Sequence, residues 1–334
     1  MKNIVIMTDS CSDLPLKFME ENRLPVVNLS FNFQGKDYID DFGKTISYQA
    51  FYDGVKKGAL PTTSQVNVHT FTEVFKSYLA QGQGVIYIAF SSALSGTFNS
   101  AMTARELLSA EEAGADIAVI DSRSASLGQG LLVYYALEMQ KKGASREEIV
   151  AWLNDNIPRM NHWFTVEDLG HLKRGGRLSS TAALVGTVLN VKPILHVDAN
   201  GRLVPVTKVR GRGKALKYLR DKLLEKIVDP EEQVVAISHG DVLEEAEQLK
   251  EMIMEKVQVK EVIINHIGPI IGAHAGPGTI CPVLPGGKAL RGSRPRHPYR
   301  KREKPGNPFA RDTFARKKKA RGSEAFFLCI LIRC

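Results

Sequence analysis

Three short apolar runs, residues 4–7, 85–90 and 117–120, limit the folds open to this chain more than any other feature. A strand with one wet face alternates apolar and polar residues. An unbroken run of four to six is a strand covered on both faces, the pattern of a parallel sheet between two helical layers. The stretches between the runs supply the helices. Asn67 precedes Phe71, Val74, Phe75 and Tyr78 at helical spacing, and Gly82 closes the segment. Ser47 can cap a helix to about Lys57, and Ser12 one to about Asn22 with Pro15 in its first turn. Ser145-x-x-Glu148 reads as a capping box that opens a helix to about Asn156. Helices are also expected over 97–109 and 127–142, and an alternating strand over 25–33. This order makes a parallel sheet with helices on both faces.

From about Asn161 the texture changes. Strands are expected over 162–166, 192–197, 203–209, 234–238 and 262–266, with helices over 180–189, 214–227 and 242–255. Asp198-Ala199-Asn200-Gly201 is a hairpin signal, so at least one pair of strands is antiparallel and the second sheet is mixed. The expected division is a first domain over 1–158, a second over 159–280, and a tail over 281–334. The tail differs in charge. It holds 15 Lys and Arg against 3 Asp and Glu, while residues 1–280 hold 30 against 33. It reads as a basic arm for nucleic acid or an acidic membrane, or as the product of a displaced reading frame.

A chain of 334 residues buries a core without a metal or disulfide staple. No apolar run approaches the roughly 18 residues of a membrane span. The N-terminal apolar run is too short for a signal peptide, and Cys11 stands alone before residue 281, so a cytoplasmic, reducing setting is expected. Walker A, GxGxxG, GxSxG and HExxH motifs are missing, as is zinc-ligand spacing, so neither a catalytic residue nor a metal ligand is expected. What recurs is a hydroxyl-rich loop: TDSCSDL, SSALSGTF and DSRSAS each follow an expected strand, and PTTSQVN precedes a helix. In a parallel sheet such loops gather at one edge, where helix N-termini and neutral hydroxyls can hold a small anion. Taken singly, each loop reads equally as a turn or a helix cap.

In order along the chain, TDSCSDL, LPTTSQV, SSALSGTFNSA, DSRSASLGQG, LGHLKRGGRLS, LNVKPIL, KVRGRGKAL and IGPIIGAHAGPG resemble the DegV family. The resemblance covers residues 1 to about 280. It implies a fold of two α/β domains: an N-terminal three-layer domain with a parallel sheet and a C-terminal domain with a mixed sheet, meeting over a fatty-acid tunnel. It implies a bacterial protein that needs no cofactor and binds one long-chain fatty acid, such as palmitate. In some bacteria such a protein is the lipid-binding subunit of a fatty acid kinase, presenting the carboxylate to a separate ATP-binding subunit. By matching motif, Thr63 and Ser95 would hold the carboxylate, and His274, Arg177 and Arg210 would stand around the head group. The residues alone leave Arg177 and Arg210 open as surface or ion-paired arginines, and His274 as a structural histidine. Phe90, Phe98, Leu131 and Ile271 are examples of side chains that could line a tunnel. Family members follow the last motif with a short apolar strand and end soon after. Here Cys281-Pro282 leads into the basic tail, which puts that strand in doubt.

Two other functions stay open. One is an enzyme acting alone on a small anionic metabolite, which lacks an identifiable base or nucleophile. The other is nucleic-acid binding through the tail, to which the body, with its slight acidic excess, would add nothing. No specific nucleic acid is expected as a partner.

Overall fold

The computed structural model of the chain describes residues 3–111, 114–167, 169–178 and 190–286. The expected helix over 180–189 and the tail beyond Gly286 lie outside them. The N-terminal part runs through β1 (Ile4–Asp9), α1 (Leu16–Glu21), β2 (Val26–Val27), β3 (Ser30–Phe33), β4 (Lys36–Ile39), α2 (Tyr48–Lys56) and β5 (Thr62–Ser64). It continues through α3 (Val68–Leu79), β6 (Gly84–Ala89), α4 (Thr97–Glu111), β7 (Ile117–Asp121), α5 (Leu127–Lys141) and α6 (Arg146–Asn156). Strands β2, β1, β6 and β7 lie side by side in that order, all parallel.

The unbroken apolar runs have the expected cause. In β6, Val85, Tyr87 and Ala89 pack with Phe71, Phe75, Ala101 and Ala104 of α3 and α4. Ile86 and Ile88 point the other way, onto Leu131 and Leu132 of α5. Both faces are therefore covered, and the layers are helix, sheet, helix. Caps set the helix starts: Ser47 accepts from the Ala50 N–H (3.2 Å), and Asn67 from that of Thr70 (2.9 Å). Both bonds of the Ser145–Glu148 box form.

Two expectations at the start of the chain are corrected. Ser12 caps no helix. Asp9 instead accepts the Cys11 N–H, a 3-10 turn covers Ser10–Ser12, and Asp13 turns the chain at φ 49° before α1. The strand expected over 25–33 is two strands. Val26–Val27 extends the parallel sheet, while Ser30–Phe33 is the centre of a separate antiparallel sheet ordered β4-β3-β5. The alternation over 25–33 could not reveal this, because both pieces bury alternate residues (Val27, Leu29, Phe31, Phe33) in one core.

The C-terminal part comprises β8 (Met160–Thr165), α7 (Gly170–Arg174), β9 (Val191–Val197), β10 (Leu203–Arg210), α8 (Arg212–Lys226), β11 (Val234–His239), α9 (Leu243–Met254), β12 (Glu261–His266), α10 (Pro269–Ala275) and β13 (Ile280–Pro285). Its six-stranded sheet is ordered β10-β9-β8-β13-β11-β12 and is mixed: β11 and β12 are parallel, and the other neighbours are antiparallel. The β9–β10 hairpin turns at Gly201 (φ 77°), and Asp198 accepts the Asn200 and Arg202 N–H groups at 2.9 Å each. The doubt over the last strand is removed. Strand β13 forms and sits between β8 and β11, so the C-terminal sheet runs past residue 280 to Pro285. Helix α5 is buried from Leu127 to Leu137, because the parallel sheet covers one side and Val234, Ala236 and Val283 of the mixed sheet cover the other.

Candidate functional site

A cavity of about 390 Å³ is lined from both parts of the chain. Its wall is largely apolar, with Leu29, Phe90, Phe164, Leu172 and Ile271 among the lining residues. Phe98 and Leu131 belong to the core instead. The polar part of the lining holds Thr63, Ser64, Gln65, Ser95, Arg177 and His274.

Each polar group is set by its element. Thr63 lies on β5, opposite Phe31 of β3. Its Oγ1 is 2.8 Å from His274 Nε2 on α10. Ser95 precedes α4, where its Oγ accepts the Thr97 N–H (3.2 Å) and pairs with the Thr97 hydroxyl (2.9 Å). A Cβ on Gly96 would lie 2.1 Å from Gln65 Oε1, so the glycine makes room for that side chain to cross here. Arg177 Nε donates to the Leu94 carbonyl (3.1 Å) and Nη1 to that of Gly175 (2.5 Å), which fixes the guanidinium at the cavity wall. His274 Nδ1 is buried without a hydrogen-bond partner among the described residues. Burial first, and then the charge of Arg177, push this imidazole down to about 4. His274 is therefore neutral near pH 7, and Arg177 is the one cation among the described lining residues. Such a site can hold an anion with hydroxyls and one guanidinium. The lining carries no carboxylate, and burial pushes the Cys281 thiol up to about 12.

Of the five residues matched by motif, four come together: Thr63, Ser95, His274 and Arg177. Arg210 does not. It ends strand β10, is exposed and lies outside the lining. The hydroxyl loops converge only in part. Thr8 donates to the Ile88 carbonyl (2.9 Å), Ser10 accepts the Leu29 N–H (3.1 Å), and Ser122 and Ser124 bond one another's backbone. Those residues build the sheet edge and do not line the cavity.

Sequence reasoning missed three buried acids beneath this edge: Asp9, Asp13 and Asp40. Asp9 accepts from the Tyr87 hydroxyl (2.7 Å) and the Phe90 N–H (2.8 Å). Asp13 takes the Ser126 hydroxyl and the Gly268 N–H (2.9 Å). Neither Asp40 oxygen has a well-oriented hydrogen bond, although the Ser10 hydroxyl and Phe42 N–H nearby partly offset its burial. Burial raises all three, Asp40 to about 7 and Asp13 well above the usual carboxylate range. The signal was present in TDSCSDL, but acids in turn-rich loops look like caps. Among the described residues, no group of three or more His, Cys, Asp and Glu is placed to hold a metal ion.

An α/β frame with a parallel and a mixed sheet encloses a largely apolar cavity with polar groups in its lining, the architecture of a small-molecule binding protein. Residues 3–284 match the family model described as an uncharacterised protein of the DegV family, and the chain belongs to that family. A DegV domain-containing protein of Clostridium perfringens is 47% identical over 280 residues, covering 84% of this chain and 96% of the relative. The structure of DegV from Bacillus subtilis, described as a fatty acid binding protein, is 32% identical with a TM-score of 0.74, over 86% of this chain and all of that one. A stearic acid-binding protein of Eubacterium ventriosum is 27% identical with a TM-score of 0.76, over 85% of this chain and 98% of that one. Among the described residues, no helix is long and apolar enough to cross a membrane.

Proposed function

We infer that this protein binds one long-chain fatty acid, with the carboxylate at Thr63 and Ser95 and the chain along the apolar wall. The observation that carries this reading is a largely apolar lining that also presents neutral donors and one arginine. His274 orients Thr63 through their hydrogen bond, and Arg177 supplies the compensating charge. Solved family members that bind fatty acids support it.

The magnitudes divide the work. A chain of about 16 carbons buried at ~0.8 kcal/mol per CH₂ gives roughly 12 kcal/mol gross. A hydrogen bond to the carboxylate adds about 1.5–3 kcal/mol. The wall thus supplies affinity, and the hydroxyls supply position. Neutral donors also suit a carboxylate that must later react, because a tight ionic clamp stabilises the ground state. The protein acts in the cytoplasm as the non-catalytic, lipid-presenting partner of a separate ATP-binding kinase subunit, which forms the acyl phosphate. Its two domains, 1–158 and the 159–280 region with strand β13 completed to Pro285, meet over the ligand.

Mass spectrometry of lipid extracted from the purified protein tests the binding. A long-chain fatty acid at about one per chain is the expected result. A protein that neither carries nor takes up any such acid overturns the reading. Acyl-phosphate formation on adding an ATP-binding subunit tests the presentation, and ATP turnover by the protein alone counts against it.

A further inference from the structure

Four polar side chains line the cavity outside the head-group site; the hydroxyls of Ser126 and Thr279 are engaged by Asp13 and by the Ala275 and Gly276 carbonyls, and two others stand apart. Ser238 of β11 is fully buried, and its hydroxyl has no partner among the described residues. His162 of β8 is 3% exposed, and neither ring nitrogen makes a well-oriented hydrogen bond. The Met160 backbone near that ring only partly offsets the burial that holds it neutral. Room for the ring exists because residue 128 is glycine: a Cβ there would lie 1.8 Å from His162 Nε2.

Both groups sit on one face of the mixed sheet. Ser238 is opposite Cys281 of β13, and His162 is opposite Val283 of the same strand. They are therefore two strand spacings apart, roughly 10 Å across the sheet, and offset by two residues, roughly 7 Å, along it. Phe164, Ile267 and Leu172 add apolar surface to the same cavity. Buried polar groups in folded proteins are nearly always hydrogen-bonded, and a hydroxyl left without a partner is costly. An unmodified acyl chain offers neither group a partner, whereas a hydroxyl on the chain both donates and accepts.

We propose that His162 and Ser238 are two separate stations for a hydroxyl carried on the acyl chain, so that the cargo includes hydroxylated long-chain acids. This rests on the fatty-acid reading above and narrows it. The head group stays at Thr63 and Ser95, and the distance from there along the chain decides which station a hydroxyl meets. A chain hydroxyl that meets only apolar lining is buried without a partner and is disfavoured.

The test measures binding of palmitate and of a positional series of monohydroxy acids of the same length, using wild type, Ser238→Ala and His162→Phe. In wild type, most positions should bind roughly tenfold or more weaker than palmitate, the cost of an unpaired buried hydroxyl. Two positions, or two short ranges, should escape that penalty. Ser238→Ala should restore the penalty at one of them and His162→Phe at the other. Palmitate binding should persist in both variants, which also shows that they fold. An equal penalty at every position in wild type overturns the proposal while leaving the fatty-acid reading intact. So does a variant that shifts all the acids alike. Failure to bind palmitate or any other acid overturns the fatty-acid reading itself.

Discussion

Ser95 has two tasks, and they separate by measurement. Its hydroxyl accepts the Thr97 N–H at the start of α4 and lines the cavity. Ser95→Ala should lower stability by about 1 kcal/mol through the lost hydrogen bond to Thr97. It should weaken lipid affinity by about 1.5–3 kcal/mol at most, so lipid still co-purifies. Acyl-phosphate formation should fall further, because a carboxylate misplaced by ~1 Å costs on the order of 100-fold. Full transfer activity in Ser95→Ala would remove it from the site. Two adjacent glycines make a sharper contrast. A Cβ on Gly175 would lie 2.1 Å from His274 Nδ1, while one on Gly176 meets nothing within 4 Å but sits at φ 68°. Gly175→Ala should push the imidazole off Thr63 and weaken binding with a near-normal melting temperature. Gly176→Ala should lower stability by about 1 kcal/mol through left-handed strain and leave binding unchanged. Melting curves and lipid titrations of the pair decide this, and identical behaviour counts against the His274–Thr63 contact.

Strand β13 yields a prediction that the sequence argued against. Ending the chain after Ile280 removes most of a strand between β8 and β11, so the C-terminal sheet should fail to form. Ending it after Gly286 should leave a folded, lipid-binding protein. Circular dichroism and lipid content of the two truncations check this, and a folded protein ending at Ile280 would refute it. The strand was hard to read because Ile280–Pro285 contains two prolines, which ordinarily demote a strand. Elements with strong local signals were legible: the capping box, the Asn-Gly hairpin and the doubly buried runs all stand where their chemistry places them. Helix α10 was not legible, since seven residues rich in glycine and alanine carry no amphipathic period. Yet it brings His274 to Thr63 across 211 positions of sequence. The site was readable as motifs, but its inner arrangement was not. Arg210 shows the limit, because a basic residue beside a matching motif says nothing about which way its strand faces.

The joint between the two parts of the molecule should make stability depend on pH in two opposed ways. Gly268, ahead of α10, lies against both acids: a Cβ there would be 2.8 Å from Asp13 Oδ1 and 3.3 Å from Asp40 Oδ2. Asp40 titrates near 7, so between about pH 4 and 7 the folded protein holds a proton that the unfolded chain has released. Its contribution is complete below pH 4 and is lost as pH rises through 7, at up to about 1.4 kcal/mol per unit. His162, His239 and His274 are held near 4 and act in reverse, with stability lost as pH falls from about 6.5 towards 4. Asp40→Asn removes that acid's share of the first effect, leaving the shares of Asp9 and Asp13, and keeps the second. Its denaturation free energy should therefore climb more steeply than that of wild type between pH 4.5 and 6.5, and parallel curves would show that Asp40 is ordinary. The position of β13 has a different consequence, for synthesis. The ribosome releases the β8-β9-β10 half of the sheet first and the β11-β12 half later, and neither has its neighbour until residue 285 emerges. Until then β8 and β11 are open edges, the arrangement most prone to pairing with other chains. The last described strand carries Cys281 of the cavity wall, so the pocket of a nascent chain is unfinished until that strand has emerged.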